Sequence, residues 1–219
     1  MRGIRRCLLS VIILILLLAS LMILPDCNSS RDGYRTLVEK NKLCSFSFEY
    51  SDYYTRAGPY YELDFRVPFM YVTLLAPKAS VNLIVPSGSD TVKTAATDYV
   101  PASITIDVSK AVDSVNTARN AKERLESILE DESKWENYQL IARYPMIVAG
   151  IQGEFVEYLV DWFAPIPAKE GLKLEHRCAV YFDHNGLIFS IEAMSRGDYD
   201  YTKVKTDFEH ILQTFKILN

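Results

Sequence analysis

The chain is poor in the residues that most often carry chemistry. Its 219 residues include 3 His, 4 Cys and 2 Trp. No H-E-x-x-H or C-x-x-C occurs, which leaves out the usual metalloprotease helix, zinc ribbon and thioredoxin motif. No G-x-S-x-G elbow occurs either, and Gly150-Ile151-Gln152-Gly153 lacks the Lys-Ser/Thr of a phosphate loop. Basic excess is also missing. Three of the 24 Lys and Arg lie in the first 24 residues, which hold no acid; the remainder carries 21 Lys and Arg against 28 Asp and Glu, a net charge of −7. That balance argues against a nucleic-acid-binding face. No low-complexity tract or internal repeat is present, and an apolar content of 49% with 24% charged residues is that of a folded chain.

What is present begins at the N-terminus. Leu8 to Leu24 is an uncharged run of 17 residues preceded by Arg2, Arg5 and Arg6. As a helix it is about 26 Å long, enough for a thin hydrocarbon core. The arginines place its start in the cytoplasm and everything after Pro25 on the far side. Three fates stay open: a cleaved secretory signal, lipid attachment at Cys27, or an uncleaved signal-anchor. Leu24 and Cys27 of Leu24-Pro25-Asp26-Cys27 match a bacterial lipobox, whereas Pro25 and Asp26 stand where small residues are usual. No A-x-A-like cleavage site follows the run. The expected organisation is a signal or anchor segment at 1–24, a linker with a short helix at 25–42, and one domain at 43–219. With Cys27 lipidated, Cys44 and Cys178 are the pair left for a disulfide; two buried free thiols are the alternative.

The domain alternates in strand-like fashion. Phe46, Phe48 and Tyr50 share a face, as do Leu63, Phe65 and Val67, and later Ile104, Ile106 and Val108. Strands are also expected at 69–75, 81–85, 138–143, 154–163, 174–182 and 187–194, with Val156, Tyr158, Val160 and Trp162 on one face. Asn185-Gly186 supplies the two positive-φ residues of a type I′ hairpin turn. Ala118, Ala121, Leu125, Ile128 and Leu129 form a helical stripe, for which Asp113 or Ser114 is a suitable N-cap. The acidic run Glu130-Asp131-Glu132 opposes the dipole at that helix's end, so fraying is expected there. Val204, Phe208, Ile211, Leu212 and Phe215 form a second stripe, capped by Asp198 or Asp200. Strands joined by hairpins with two one-faced helices imply an α+β fold.

Residues 180–193, V-Y-F-D-H-N-G-L-I-F-S-I-E-A, and 207–218, D-F-E-H-I-L-Q-T-F-K-I-L, form a hairpin and closing helix that resemble the PsbP-like family. This family is named for the extrinsic P subunit of photosystem II. The opening C-S-F-S-F-E-Y-S at 44–51 resembles its first strand, and V-A-G-I-Q-G-E-F-V-E-Y at 148–158 its central strand entry. The resemblance implies an antiparallel β-sheet of about six strands sandwiched by helices. It also suits bacterial members that are secreted or lipid-anchored.

The functional expectation is a non-catalytic, membrane-tethered extracytoplasmic domain that docks an envelope protein and needs no cofactor. The alternative is a carrier holding a small apolar ligand between sheet and helix. No residue stands out as nucleophile, base or metal ligand. His184 beside Asp183 has the chemistry to touch a metal, but reads more simply as a solvated turn, and His210 is expected at the edge of the last buried stripe. Tyr50, Tyr53, Tyr54, Tyr60 and Tyr61 crowd around Gly58-Pro59. Tyr53, Tyr54, Tyr60 and Tyr61 are the candidate partner surface, because tyrosines give rigid, amphipathic contact area.

Overall fold

The computed structural model describes residues 33–62, 69–86, 92–111, 118–161 and 174–218. The expected helix over 8–24, Cys27, the strand over 63–67, the Asp113 and Ser114 caps and Trp162 all lie outside them.

Seven strands form the main antiparallel sheet, one more than the resemblance implied, in the order β3-β4-β7-β11-β10-β9-β8. They are β3 (Thr55–Glu62), β4 (Phe69–Leu75), β7 (Ala102–Lys110), β8 (Gln139–Val148), β9 (Ile151–Asp161), β10 (Leu174–His184) and β11 (Leu187–Arg196). A second sheet has the order β1-β2-β12, from β1 (Tyr34–Lys40), β2 (Ser45–Ser51) and β12 (Lys216–Leu218). β5 (Ala79–Pro86) and β6 (Val92–Tyr99) pair as a two-stranded ribbon.

Register follows the alternation. On β10, Cys178, Val180 and Phe182 point to one core while Ala179 and Tyr181 point to the other. Such a strand, buried on both faces, must be covered on both. Helix α1 (Ala121–Glu132) covers one face, setting Ala121, Leu125 and Leu129 on Val156, Tyr158, Val160 and Ala179. Helix α2 (Tyr201–Thr214) and the small sheet cover the other. There Phe208, Ile211 and Phe215 meet Phe46, Phe48, Phe155, Phe182 and Phe189. Phe182 and Phe189 stack at 5.0 Å between ring centroids, with Phe215 edge-on to both.

Several local expectations change. The linker contains β1, which pairs in full with β2 from Tyr34↔Ser51 to Lys40↔Ser45. β1 buries only Leu37 and Glu39, so it shows no apolar alternation; Glu39 is held by Arg56 at 2.7 Å. The cap of α1 is Asn120, whose side chain accepts from the Glu123 backbone N–H at 2.9 Å. The acidic run does not end α1 early, because two of its three charges are paired: Asp131 with Lys134 at 2.7 Å and Glu132 with Arg177 at 2.8 Å. β8 runs straight through Pro145, which an edge strand tolerates because one row of its N–H groups needs no partner. Asp200 caps α2 as expected, accepting from Thr202 N–H at 2.9 Å.

Candidate functional site: a cleft at the open end of the two sheets

The tyrosine group does not form one surface. Tyr54 is 3% exposed and belongs to the core, so its place in the expected partner surface is corrected: its ring packs edge-on to Tyr53 at 5.5 Å and its hydroxyl is buried near Asp207. Tyr53 is half-buried beneath Lys203, whose Nζ stands 3.4 Å from the ring centroid. Tyr60 and Tyr61 lie on β3, opposite Tyr71 and Met70; their side chains are outside the described residues. The tight chain reversal after β2 explains the split, since Tyr54 N–H donates to Ser51 carbonyl at 3.1 Å and turns that side chain inward.

Cys44 and Cys178 are free thiols and are not bonded to each other. Cys44 ends the β1–β2 turn, whereas Cys178 lies in the middle of β10 at the centre of the main sheet. Burial pushes the Cys178 thiol up to about 12, and burial with the nearby Glu39 carboxylate pushes Cys44 up to about 11. Neither holds thiolate at neutral pH. Next to Cys178, His176 stacks on Tyr201 at 3.3 Å between centroids, and its Nε2 stands 3.0 Å from Glu157. Lys205 donates to the other Glu157 oxygen at 2.7 Å. Burial favours the neutral imidazole and holds His176 below the ordinary histidine value, the Glu157 contact offsetting this only in part.

The opposite face carries a second polar group. Glu175, 1% exposed, is gripped by Arg177 and by Arg196, the latter at 2.6 Å. Arg177 also reaches Glu132 of α1. Arg124 of α1 donates to Ser109 at 2.8 Å and to Asp107 at 3.2 Å. These contacts tie α1 to the sheet, and opposite charges neutralise one another there. Among the described residues no group of three or more His, Cys, Asp or Glu is placed to hold a metal ion.

The hairpin aspartate has a structural task. Asp183 Oδ1 accepts the Ala121 backbone N–H of α1 at 2.8 Å, so the turn helps cap a helix. His184 faces the other way, into a cleft of about 960 Å³ between the ends of the two sheets. Four segments build that cleft. The β1–β2 turn contributes Lys42, Leu43 and Cys44, and is pinned by Asn41, whose Oδ1 accepts from Leu43 N–H at 2.7 Å and from Cys44 N–H at 3.1 Å. The end of β7 contributes Lys110 and Ala111. The hairpin turn follows, with Asn185 at φ 51° and Gly186 at φ 74°, and the Gly186 carbonyl accepts from Ala111 N–H at 3.0 Å. Ile217 and Leu218 of β12 close the set. Among the described residues no Asp or Glu lines the cleft. Local patterns in the sequence missed it, because its residues come from four distant stretches. The Asn-Gly turn was the only local signal.

No protein-family model matches the chain, and no curated protein matches it. Among solved structures the fold is similar to cyanobacterial PsbP (CyanoP) from Synechocystis sp. PCC 6803, at 14% identity over 89% of this chain and 99% of that one, with a TM-score of 0.47. It is also similar to LpqN of Mycobacterium tuberculosis, described as involved in cell envelope biogenesis, at 11% identity over 86% and 80% of the two chains and a TM-score of 0.39. A third is PA94 of Pseudomonas aeruginosa, a protein of unknown function, at 10% identity over 82% and 94%, with a TM-score of 0.39. The first bears the name of the family that the hairpin and closing helix resemble. Similarity this distant carries no argument about activity.

Proposed function

We propose that this chain is an extracytoplasmic domain moored to a membrane by its N-terminal segment, and that it acts by binding rather than by catalysis. The observation that carries the reading is the uncharged run Leu8 to Leu24 behind Arg2, Arg5 and Arg6, followed within ten residues by β1. The state of the domain's titratable groups supports the second half. The buried thiol is held protonated, and His176, Glu157 and Lys205 are engaged with one another. The carrier alternative loses its expected location. Between the main sheet and α2, Phe155, Phe182, Phe189, Phe208 and Ile211 are all 2% exposed or less, so that space is filled with side chains.

The test is fractionation of cells expressing the full chain, followed by protease treatment of intact spheroplasts. The expected result is a membrane-bound product whose domain is digested from outside. A freely soluble, protease-protected product overturns the reading. Metabolic labelling with a fatty acid separates the anchoring modes: label lost in Cys27→Ser means lipid attachment, and membrane binding unchanged in Cys27→Ser means a spanning helix.

A further inference from the structure

We infer that the cleft at the open end binds a single-chain amphiphile with an anionic head, of the fatty-carboxylate class. Lys42, Leu43, Lys110, His184, Leu187 and Ile217 are all described residues of the domain, so the site they form does not depend on the mooring proposed above. Its volume of about 960 Å³ lies in the range of small-molecule sites. Its walls combine half-buried aliphatic side chains, Leu43, Leu187 and Ile217, with the cations Lys42 and Lys110 and the imidazole of His184. A chain of methylenes gains by covering the aliphatic part, since apolar surface leaves water there.

Charge decides the head group. Beyond residue 24 the chain carries a net −7, yet among the described residues no acid lines this cleft. Most other basic side chains near the core are already paired, as Arg56, Arg124, Arg143, Arg177, Arg196 and Lys205 are. Lys42 and Lys110 are in no ion pair among the described residues. Two unpaired ammonium groups and an apolar wall in an otherwise acidic domain complement a carboxylate with a hydrocarbon tail. A neutral tail satisfies only the wall, and an acidic peptide without apolar side chains satisfies only the lysines. The turns that hold these groups are pinned by Asn41 and by the Ala111–Gly186 hydrogen bond, so the site is formed before the ligand arrives.

The test uses the full chain in its membranes, a diazirine-bearing dodecanoate as photoprobe, and peptide mass spectrometry to place the adducts. Adducts on peptides outside the cleft report general partition of the probe and serve as the internal standard. The expected result is a second set of adducts on Leu43, Leu187 and Ile217. Unlabelled dodecanoate competes for them and dodecanol does not. In the double variant Lys42→Glu/Lys110→Glu these adducts fall about tenfold, the scale of two exposed ion pairs. Lys78→Glu, an exposed charge outside the cleft, leaves them unchanged. Both cleft lysines are surface residues, and an unchanged thermal transition shows that the double variant is folded. The inference is overturned if labelling of Leu43, Leu187 and Ile217 does not exceed that of peptides outside the cleft, if dodecanol competes as well as dodecanoate, or if the folded double variant labels like the parent.

Discussion

At the scale of single residues, contact distances decide what can be changed. Gly153 on β9 sits against the neighbouring strand: a Cβ there would meet the Tyr181 carbonyl oxygen at 2.6 Å and Phe182 Cβ at 2.9 Å. Backbone cannot step aside cheaply, so Gly153→Ala is expected to cost about 1–3 kcal/mol, read as a lower urea midpoint. The thiols make a second case. With Cys178 held at about 12 and Cys44 at about 11, alkylation at neutral pH should leave Cys178 unmodified until the protein unfolds, with Cys44 slow; peptide mapping after iodoacetamide measures both. The third case is linkage. His176 is depressed in the folded state, chiefly by burial. Burial pushes Glu157 up, but Lys205 and His176 outweigh it and leave that carboxyl below its usual range. For both groups the unfolded chain binds the proton more readily, so acid favours unfolding. Their contributions are present above the ordinary histidine and glutamate values, about 6.5 and about 4.3, and are lost as pH falls below each. The urea midpoint should therefore drop between about pH 7.5 and about pH 5.5, and His176→Phe, which keeps a ring on Tyr201, should flatten that drop. An equal drop in parent and variant would count against this assignment.

At the scale of elements, β8 stands out because it is a long edge strand with apolar side chains in water. Leu140, Ile141 and Tyr144 are 43–44% exposed and Ile147 74%. Such an edge invites pairing with another chain. Two features blunt it: the register shift between Leu140 and Ala142, and Pro145, which offers no N–H. Pro145→Thr restores a donor and a β-former, and is expected to raise self-association, seen as heavier species in sedimentation velocity; an unchanged distribution would show that the bulge alone protects the edge. The helices depend on tertiary partners in a comparable way. α1 begins on Asn120 and on Asp183, a carboxylate sixty-two residues away, and ends with Glu132 on Arg177.

At the scale of the whole molecule, every buried apolar residue of the described core lies at Leu37 or later. A chain starting at Gly33 should therefore unfold at the same urea midpoint as the full chain, whereas removal through Cys44 should destabilise it by deleting β1 from the small sheet. Coincident loss of stability in the shorter truncation would mean that residues before 33 contribute to the domain. The cleft belongs to this scale too, since no one element contains it.

Periodicity and turn chemistry alone determined the half-buried strand at 45–51, the Asn-Gly hairpin, both amphipathic helices and the α+β class, because each expresses a local rule: alternate burial, two positive-φ residues, one apolar stripe. Only the tertiary structure decided the rest. β1 and β12 carry too few apolar residues to alternate, so they exist as strands through their pairing with β2. The inward turn of Tyr54 and the separation of Cys44 from Cys178 depend on how distant segments pack, not on their neighbours in sequence. The same holds for the meeting of Lys42, Lys110 and His184 around one cleft: the β1–β2 turn and the ends of β7 and β10 contribute one cation or ring each, and only the closure of the two sheets brings them together.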